Sequence, residues 1–171
     1  MKTLIVVDVQ NDFVTGSLGT PEAKAVLPNI IRKINEYRMR GDQIIFTQDT
    51  HSSYYLETNE GRHLPVPHCI IDTKGWSIVD ELQIQPESDL TIYKRTFGYT
   101  EWRDYIDLKE AIELVGLCTD ICVISNALIL KAIYPETKII VDASCCAGVT
   151  PETHKSAIDV MKMCQIDIIG E

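Results

Sequence analysis

Thr3-Leu4-Ile5-Val6-Val7-Asp8 is a short, uncharged, mostly β-branched run that stops on a carboxylate. Such a run reads as a strand, with Asp8 as the first polar residue beyond it. Similar runs recur at Gln43 to Thr47, Thr91 to Tyr93, Ile112 to Val115, Lys138 to Val141 and Ile166 to Ile169. Between the first two, Leu27, Ile30, Ile31, Ile34 and Tyr37 return every three to four residues, and Gly41 follows where a helix would end. A second helix is expected from about Cys122 to Ile133, stopping before Pro135. A third is expected from Pro151 to about Met163, with Thr150 as N-cap and Ala157, Ile158, Met161 and Cys164 as its buried stripe. Strands alternating with helices predict an α/β fold with a mostly parallel central sheet flanked by helices. At 171 residues, 1–171 is expected to form a single domain.

Composition narrows the function. Sixteen basic against 25 acidic residues give a net charge of -9, which speaks against nucleic acid or an anionic membrane as partner, since both need a cationic footprint. A small-molecule substrate fits better. No apolar stretch approaches the roughly 18 to 20 residues of a spanning helix, and Met1-Lys2 leads into a strand instead of a signal peptide. Cys69, Cys118, Cys122, Cys145, Cys146 and Cys164 are spread through apolar segments, as reduced thiols are, so a cytoplasmic protein is expected. Cys118 and Cys122 have no second pair to complete a structural zinc site.

In an open parallel sheet, ligands bind beyond the carboxyl ends of the strands. Asp8, Asp49 and the segment Gly116-Leu117-Cys118-Thr119-Asp120-Ile121-Cys122-Val123 all fall there. Cys122 stands where this turn passes into a helix, a place that lowers a thiol pKa and offers backbone N–H groups to an oxyanion. The competing reading, a cysteine packed as a small apolar group, suits Cys118, Cys145, Cys146 and Cys164. Asp49 and His51, two apart at a strand end, point to the same side and can reach one ion. They open an aperiodic stretch, Asp49 to about Lys74, that holds three of the four histidines and is longer than ordinary loops.

Val6-Val7-Asp8-Val9-Gln10-Asn11-Asp12-Phe13, the Asp49-x-His51 pair, Lys94 and the Gly116 to Val123 segment together resemble the nicotinamidase and isochorismatase-like cysteine hydrolase superfamily, with the motifs in the family's order over essentially the whole chain. The resemblance implies a three-layer Rossmann-like α/β domain, in agreement with the alternation above. It implies Cys122 as nucleophile, Asp8 as its base and Lys94 as the cation beside them, the backbone N–H groups of Cys118 and Cys122 as an oxyanion hole, and a cis peptide before Cys118. Nicotinamidases complete a metal site with a further carboxylate or histidine and a second histidine. Here Glu60 and His68 fit best beside Asp49 and His51, and Glu57 and His63 compete with Glu60. Zinc is the first expectation for this divalent ion, with manganese or iron as alternatives.

Phe13 matches an aromatic that stacks on the substrate ring in nicotinamidases, and Tyr99 and Trp102 are further candidates for an aromatic cage. Arg95-Thr96-Phe97-Gly98 departs from the Ser-Ala-Phe that usually follows the family's lysine. The expected function is hydrolysis of nicotinamide or a related small amide to the acid and ammonia through a thioester. The alternatives are vinyl ether cleavage of the isochorismatase type and a non-enzymatic binding module. The family's habit also implies a homo-oligomer.

Overall fold

The computed structural model describes residues 1–107 and 110–171. Among these residues six strands, β1 (Thr3–Val7), β2 (Gln43–Asp49), β3 (Leu90–Lys94), β4 (Ala111–Leu117), β5 (Lys138–Ala147) and β6 (Asp167–Ile169), form one sheet in the order β3-β2-β1-β4-β5-β6. Every pairing is parallel, so the expected mostly parallel sheet is wholly parallel. β1, β2 and β4 are buried along almost their whole length, which is why their sequences run apolar without alternation.

The helices are α1 (Asn11–Val14), α2 (Pro21–Arg40), α3 (Asn59–His63), α4 (Ile124–Ile133) and α5 (Pro151–Met163). Strand residues feed two separate cores by their alternation. Ile5 and Val7 pack with Val123, Ala127, Leu130 and Met161 from the α4 and α5 side, whereas Leu4 and Val6 pack with Ile30, Ile34 and Tyr37 of α2. The result is three layers, helix, sheet, helix. No helix among the described residues is long and apolar enough to cross a membrane.

Local chemistry sets the helix ends. Thr20 caps α2 by accepting from the Ala23 amide ahead of Pro21, and Gly41 ends it in the left-handed conformation at φ 68°. Thr150 and Thr153 form a reciprocal cap on α5. Three expectations are corrected. The helix expected from Cys122 begins at Ile124, because Thr119–Val123 form a wider π-helical turn first. Cys164 caps the end of α5 and is exposed, not part of its buried stripe. β5 runs on to Ala147 because the sheet register slips between Leu114 and Gly116 of β4, leaving Asp142 to Cys145 opposite Val115 as an irregular bulge.

That bulge anchors a buried ionic knot. Lys33 on α2 lies 2.7 Å from Glu113 of β4 and 2.8 Å from Asp142, and the Tyr37 hydroxyl donates to Glu113 at 2.7 Å. Burial works to raise the Asp142 carboxyl, but hydrogen bonds from Lys33 and Ser144 hold it below 3.8. Burial works to lower Lys33, yet the two carboxylates raise it above 10.5. Asp142 therefore contributes stability that is present above pH 3.8 and is lost as pH falls through its lower folded value, while Lys33 contributes below pH 10.5. Lys33→Met leaves two carboxylates facing each other in a nearly dry interface, and should lower the unfolding free energy in urea at pH 7 by about 3 kcal/mol. The variant should regain part of the difference on acidification toward pH 5; equal stability of the two proteins at pH 7 would refute this role.

Candidate active site

The strand order reverses direction between β1 and β4, and at such a switch point the two chains leave the sheet in opposite directions and open a crevice at their carboxyl ends. Asp8 leaves β1 there and Cys118 leaves β4. Gly116, at φ 120°, permits this approach, since a Cβ would collide with the backbone carbonyl of Val7. The peptide between Leu117 and Cys118 is cis. Lys94 and Asp49 are the last residues of β3 and β2, so all four strands deliver side chains to one edge.

Asp8, Lys94 and Cys122 converge. Lys94 Nζ lies 2.5 Å from Asp8 Oδ2, 3.6 Å from Cys122 Sγ and 3.7 Å from Asp49 Oδ1, and it donates to the Thr96 carbonyl at 3.1 Å. Asp8 is fully buried and Lys94 is 2% exposed. Asp8 adopts φ 48°, uncommon for a residue with a side chain. Thr47 holds it there, its Oγ1 donating to Asp8 Oδ1 at 2.6 Å and accepting from the Asp8 amide at 3.2 Å.

The electrostatics correct one expectation. Burial, then the Asp8 carboxylate, push the Cys122 thiol well above its ordinary value, and Lys94 only partly offsets them. The turn into α4 does not by itself lower this thiol, because burial and the neighbouring carboxylate outweigh it. Burial likewise pushes Asp8 above 3.8 against the pull of Lys94. Lys94 keeps its proton, because its carboxylate neighbours outweigh its burial.

Asp49, His51, Glu60 and His68 form a second cluster whose ligand atoms all lie within 4.8 Å of one another. His51 Nε2 is 3.0 Å from Asp49 Oδ2 and 3.6 Å from Glu60 Oε1, and His68 Nε2 is 3.6 Å from each of these carboxylates. His68 Nδ1 donates to the Val66 carbonyl at 2.8 Å, which leaves its Nε2 lone pair aimed at the cluster. Burial acts to raise Asp49, but the neighbouring His51 and His68 imidazoles and the Lys94 ammonium hold it well below the usual carboxylate range. Two carboxylates and two imidazoles in this arrangement suit a divalent transition ion. Of the three competitors for the third position, Glu60 joins the cluster. Glu57 is exposed, and His63 is tied to the Asn59 carbonyl at 2.8 Å.

His51→Ala should bring the metal content of purified protein from about one ion per chain to background, whereas Glu57→Ala should leave it unchanged. Equal content in His51→Ala and the parent, measured by elemental analysis, would dispose of the cluster as a metal site.

Both clusters border a cleft of about 900 Å³ lined by Phe13, Asp49, His51, Glu60, His68, Cys118 and Cys122 among others. Tyr99 and Trp102 stand elsewhere, which corrects the expected aromatic cage. Trp102 is fully buried in the core on the α4 side and Tyr99 packs edge-on against it at 5.2 Å, so neither lines the cleft. Phe13 does, and so does Phe97.

Three positioning residues carry no signal in spacing. Gln10 is fully buried and mimics a strand neighbour, accepting from the Asp49 amide at 2.7 Å and donating to the Asp49 carbonyl at 2.8 Å. Thr47 holds Asp8 as described. Asn126, also buried, donates to the carbonyls of Cys122 and Phe97 and accepts from the Tyr99 amide, fastening the loop after Lys94 to the nucleophile's helix. Gln10 stands inside the Val6 to Phe13 motif, which was the one available hint.

Comparison with known proteins agrees with this geometry. A nicotinamidase of Saccharomyces cerevisiae is 24% identical over the full length of both chains. A protein of Arabidopsis thaliana named as a probable inactive nicotinamidase is 30% identical, covering 93% of this chain and 87% of its own. The crystal structure of a Pyrococcus horikoshii pyrazinamidase in complex with zinc superposes with a TM-score of 0.81 at 26% identity, covering 99% of each chain. Residues 2–170 match the isochorismatase domain, and the chain belongs to the isochorismatase family, within the superfamily that includes the nicotinamidases.

Proposed function

We propose that the protein is a cysteine-dependent amidohydrolase that converts nicotinamide or a related small amide to the acid and ammonia. The observation that carries this reading is the meeting of buried Asp8 and Lys94 with Cys122, which lines the cleft, in a chain whose relatives include nicotinamidases.

Asp8 takes the thiol proton of Cys122 as the sulfur attacks the amide carbon, so the thiolate forms only as the C–S bond does. Lys94, already charged, offsets the negative charge shared between Asp8 and the sulfur. The tetrahedral oxyanion rests on the backbone N–H groups of Cys118 and Cys122. Asp8 returns its proton to the leaving nitrogen, the C–N bond breaks, and ammonia departs from a thioester on Cys122. Asp8 then removes a proton from water as it attacks the thioester, and the acid leaves with Cys122 restored as a thiol. Phe13 offers a face on which a flat ring can stack. Asp49, His51, Glu60 and His68 would hold a divalent ion, with zinc the first candidate, which would supply Lewis acidity toward the substrate or a water.

Ammonia release from nicotinamide, pyrazinamide and simple aliphatic amides tests the reading. Release that depends on Cys122 is expected; turnover of isochorismate with no ammonia from any amide would transfer the assignment to vinyl ether cleavage.

A further inference from the structure

The cleft is larger than one flat amide needs. About 900 Å³ lies near the upper end of the range for sites that enclose drug-sized ligands. Its wall beyond Cys122 is apolar, from Ile121, Phe97 and Val149 to Leu18 and Leu64. An acyl group longer than a single ring would cover this surface.

One charge breaks the apolar wall. Arg95 lines the cleft, is exposed, and forms no ion pair or side-chain hydrogen bond among the described residues. Among the described residues that line the cleft it is the sole lysine or arginine. The acids that share the cleft, Asp49 and Glu60, are engaged with His51 and His68. In a chain of net charge -9, an arginine on a cavity wall whose acids are already engaged is a fork of donors left for something else.

Its mounting is firm. On one side Lys94 donates to the Thr96 carbonyl at 3.1 Å, and on the other Asn126 holds Phe97 and Tyr99. Thr96 Oγ1 donates to the Gly98 carbonyl at 2.6 Å, and Gly98 packs so closely on Ile129 that a Cβ would collide with it. Arg95 thus projects from a braced loop that begins at the catalytic lysine. This is also the stretch where the sequence leaves the family's usual Ser-Ala-Phe.

Resting on the amidohydrolase reading, we infer that Arg95 is a specificity residue, and that the substrate is an amide whose far end carries a carboxylate. Guanidinium and carboxylate match as a bidentate pair. A carboxylate close to Cys122 would be repelled by Asp8 and Asp49, so the acid must stand away from the scissile bond, with an apolar spacer lying along the wall. Such a substrate is a half-amide of a dicarboxylic acid, and its hydrolysis yields the diacid and ammonia.

The test measures kcat and KM for a series of half-amides from succinamate to suberamate, beside nicotinamide and hexanamide, in the parent, Arg95→Gln and Arg95→Lys. One member of the series should exceed hexanamide in kcat/KM by about tenfold or more, and Arg95→Gln should erase that ratio chiefly through KM, with partial recovery in Arg95→Lys. Calorimetric binding of the best half-amide to parent and Arg95→Gln gives a readout independent of turnover, and weaker binding to the variant is expected.

Ammonia from neutral amides with no gain for half-amides, or a ratio unmoved by Arg95→Gln, would overturn the role of Arg95 and leave the amidohydrolase reading intact. No ammonia from any amide, together with equal half-amide binding by parent and variant, would overturn both. No ammonia but binding that depends on Arg95 would support the carboxylate site and discard the amide chemistry.

Discussion

Cys122→Ala should lower kcat/KM for the best amide by roughly four orders of magnitude or more, about 5 kcal/mol of transition-state stabilisation. Cys118, the second thiol on the cleft, is no substitute, since among the described residues Lys94 and Asp8 are within hydrogen-bond reach of Cys122 and not of Cys118. The loss should be of kcat, with substrate binding preserved, because the sulfur contributes to the reacting bond and little to the apolar wall. Cys122 packs in the core on the α4 side, and exchanging its sulfur for hydrogen removes only a small buried volume, at a cost of about 1 kcal/mol in stability. Folded, inert Cys122→Ala protein is the expected outcome, read by thermal melting and ammonia release on the same sample. Full activity would refute the assignment.

Asp8→Asn is expected to reduce kcat/KM by about a thousandfold, the upper part of the range for a positioned general base. The substitution preserves shape but removes both the proton acceptor and the main partner of a fully buried ammonium. Lys94 keeps Asp49 at 3.7 Å and the Thr96 carbonyl, so a stability loss of roughly 3 kcal/mol, the low end for a broken buried pair, accompanies the lost rate. A pH profile separates the two effects. Asp8 acts as a base only when ionised, and burial raises its pKa above 3.8. In the parent, kcat/KM should therefore fall as pH drops through a value higher than that of a free carboxylate, and the residual activity of Asp8→Asn should lack this limb. A parent profile flat down to pH 4 would contradict the role.

Much of this was legible in sequence, for physical reasons that differ by residue. β1, β2 and β4 announce themselves because strands covered on both sheet faces tolerate little but apolar side chains. Asp8 and Asp49 were found by place alone, since a polar residue just past such a run falls at the crevice edge. Lys94 was identified by resemblance; the structure shows why composition could not find it, as its stem and charge are wholly internal and its partners lie on β1, β2 and the turn before α4. The His51, Glu60 and His68 cluster was readable as a set of ligand types, but the choice of Glu60 over Glu57 and His63 depends on how α3 turns.

What the chain hid depends on contacts distant in sequence. Trp102 and Tyr99 carry the same aromatic signal whether they face ligand or core, and packing against α4 decided for the core. The thiol pKa expected from the helix start was reversed by burial and by Asp8, neither of which is visible in the segment around Cys122. Thr47, Gln10 and Asn126 look like ordinary polar residues until their partners, 39 residues away for the first two and 27 and 29 for the amide and carbonyl of the lysine loop, are known.

The most direct test of the central claim is to quench the enzyme in acid during turnover of its best amide and locate the acyl group by peptide mass mapping. The mechanism requires the acyl mass on the peptide that contains Cys122, removable by neutral hydroxylamine as a thioester is. An acyl group found on another residue while ammonia is being released would contradict it.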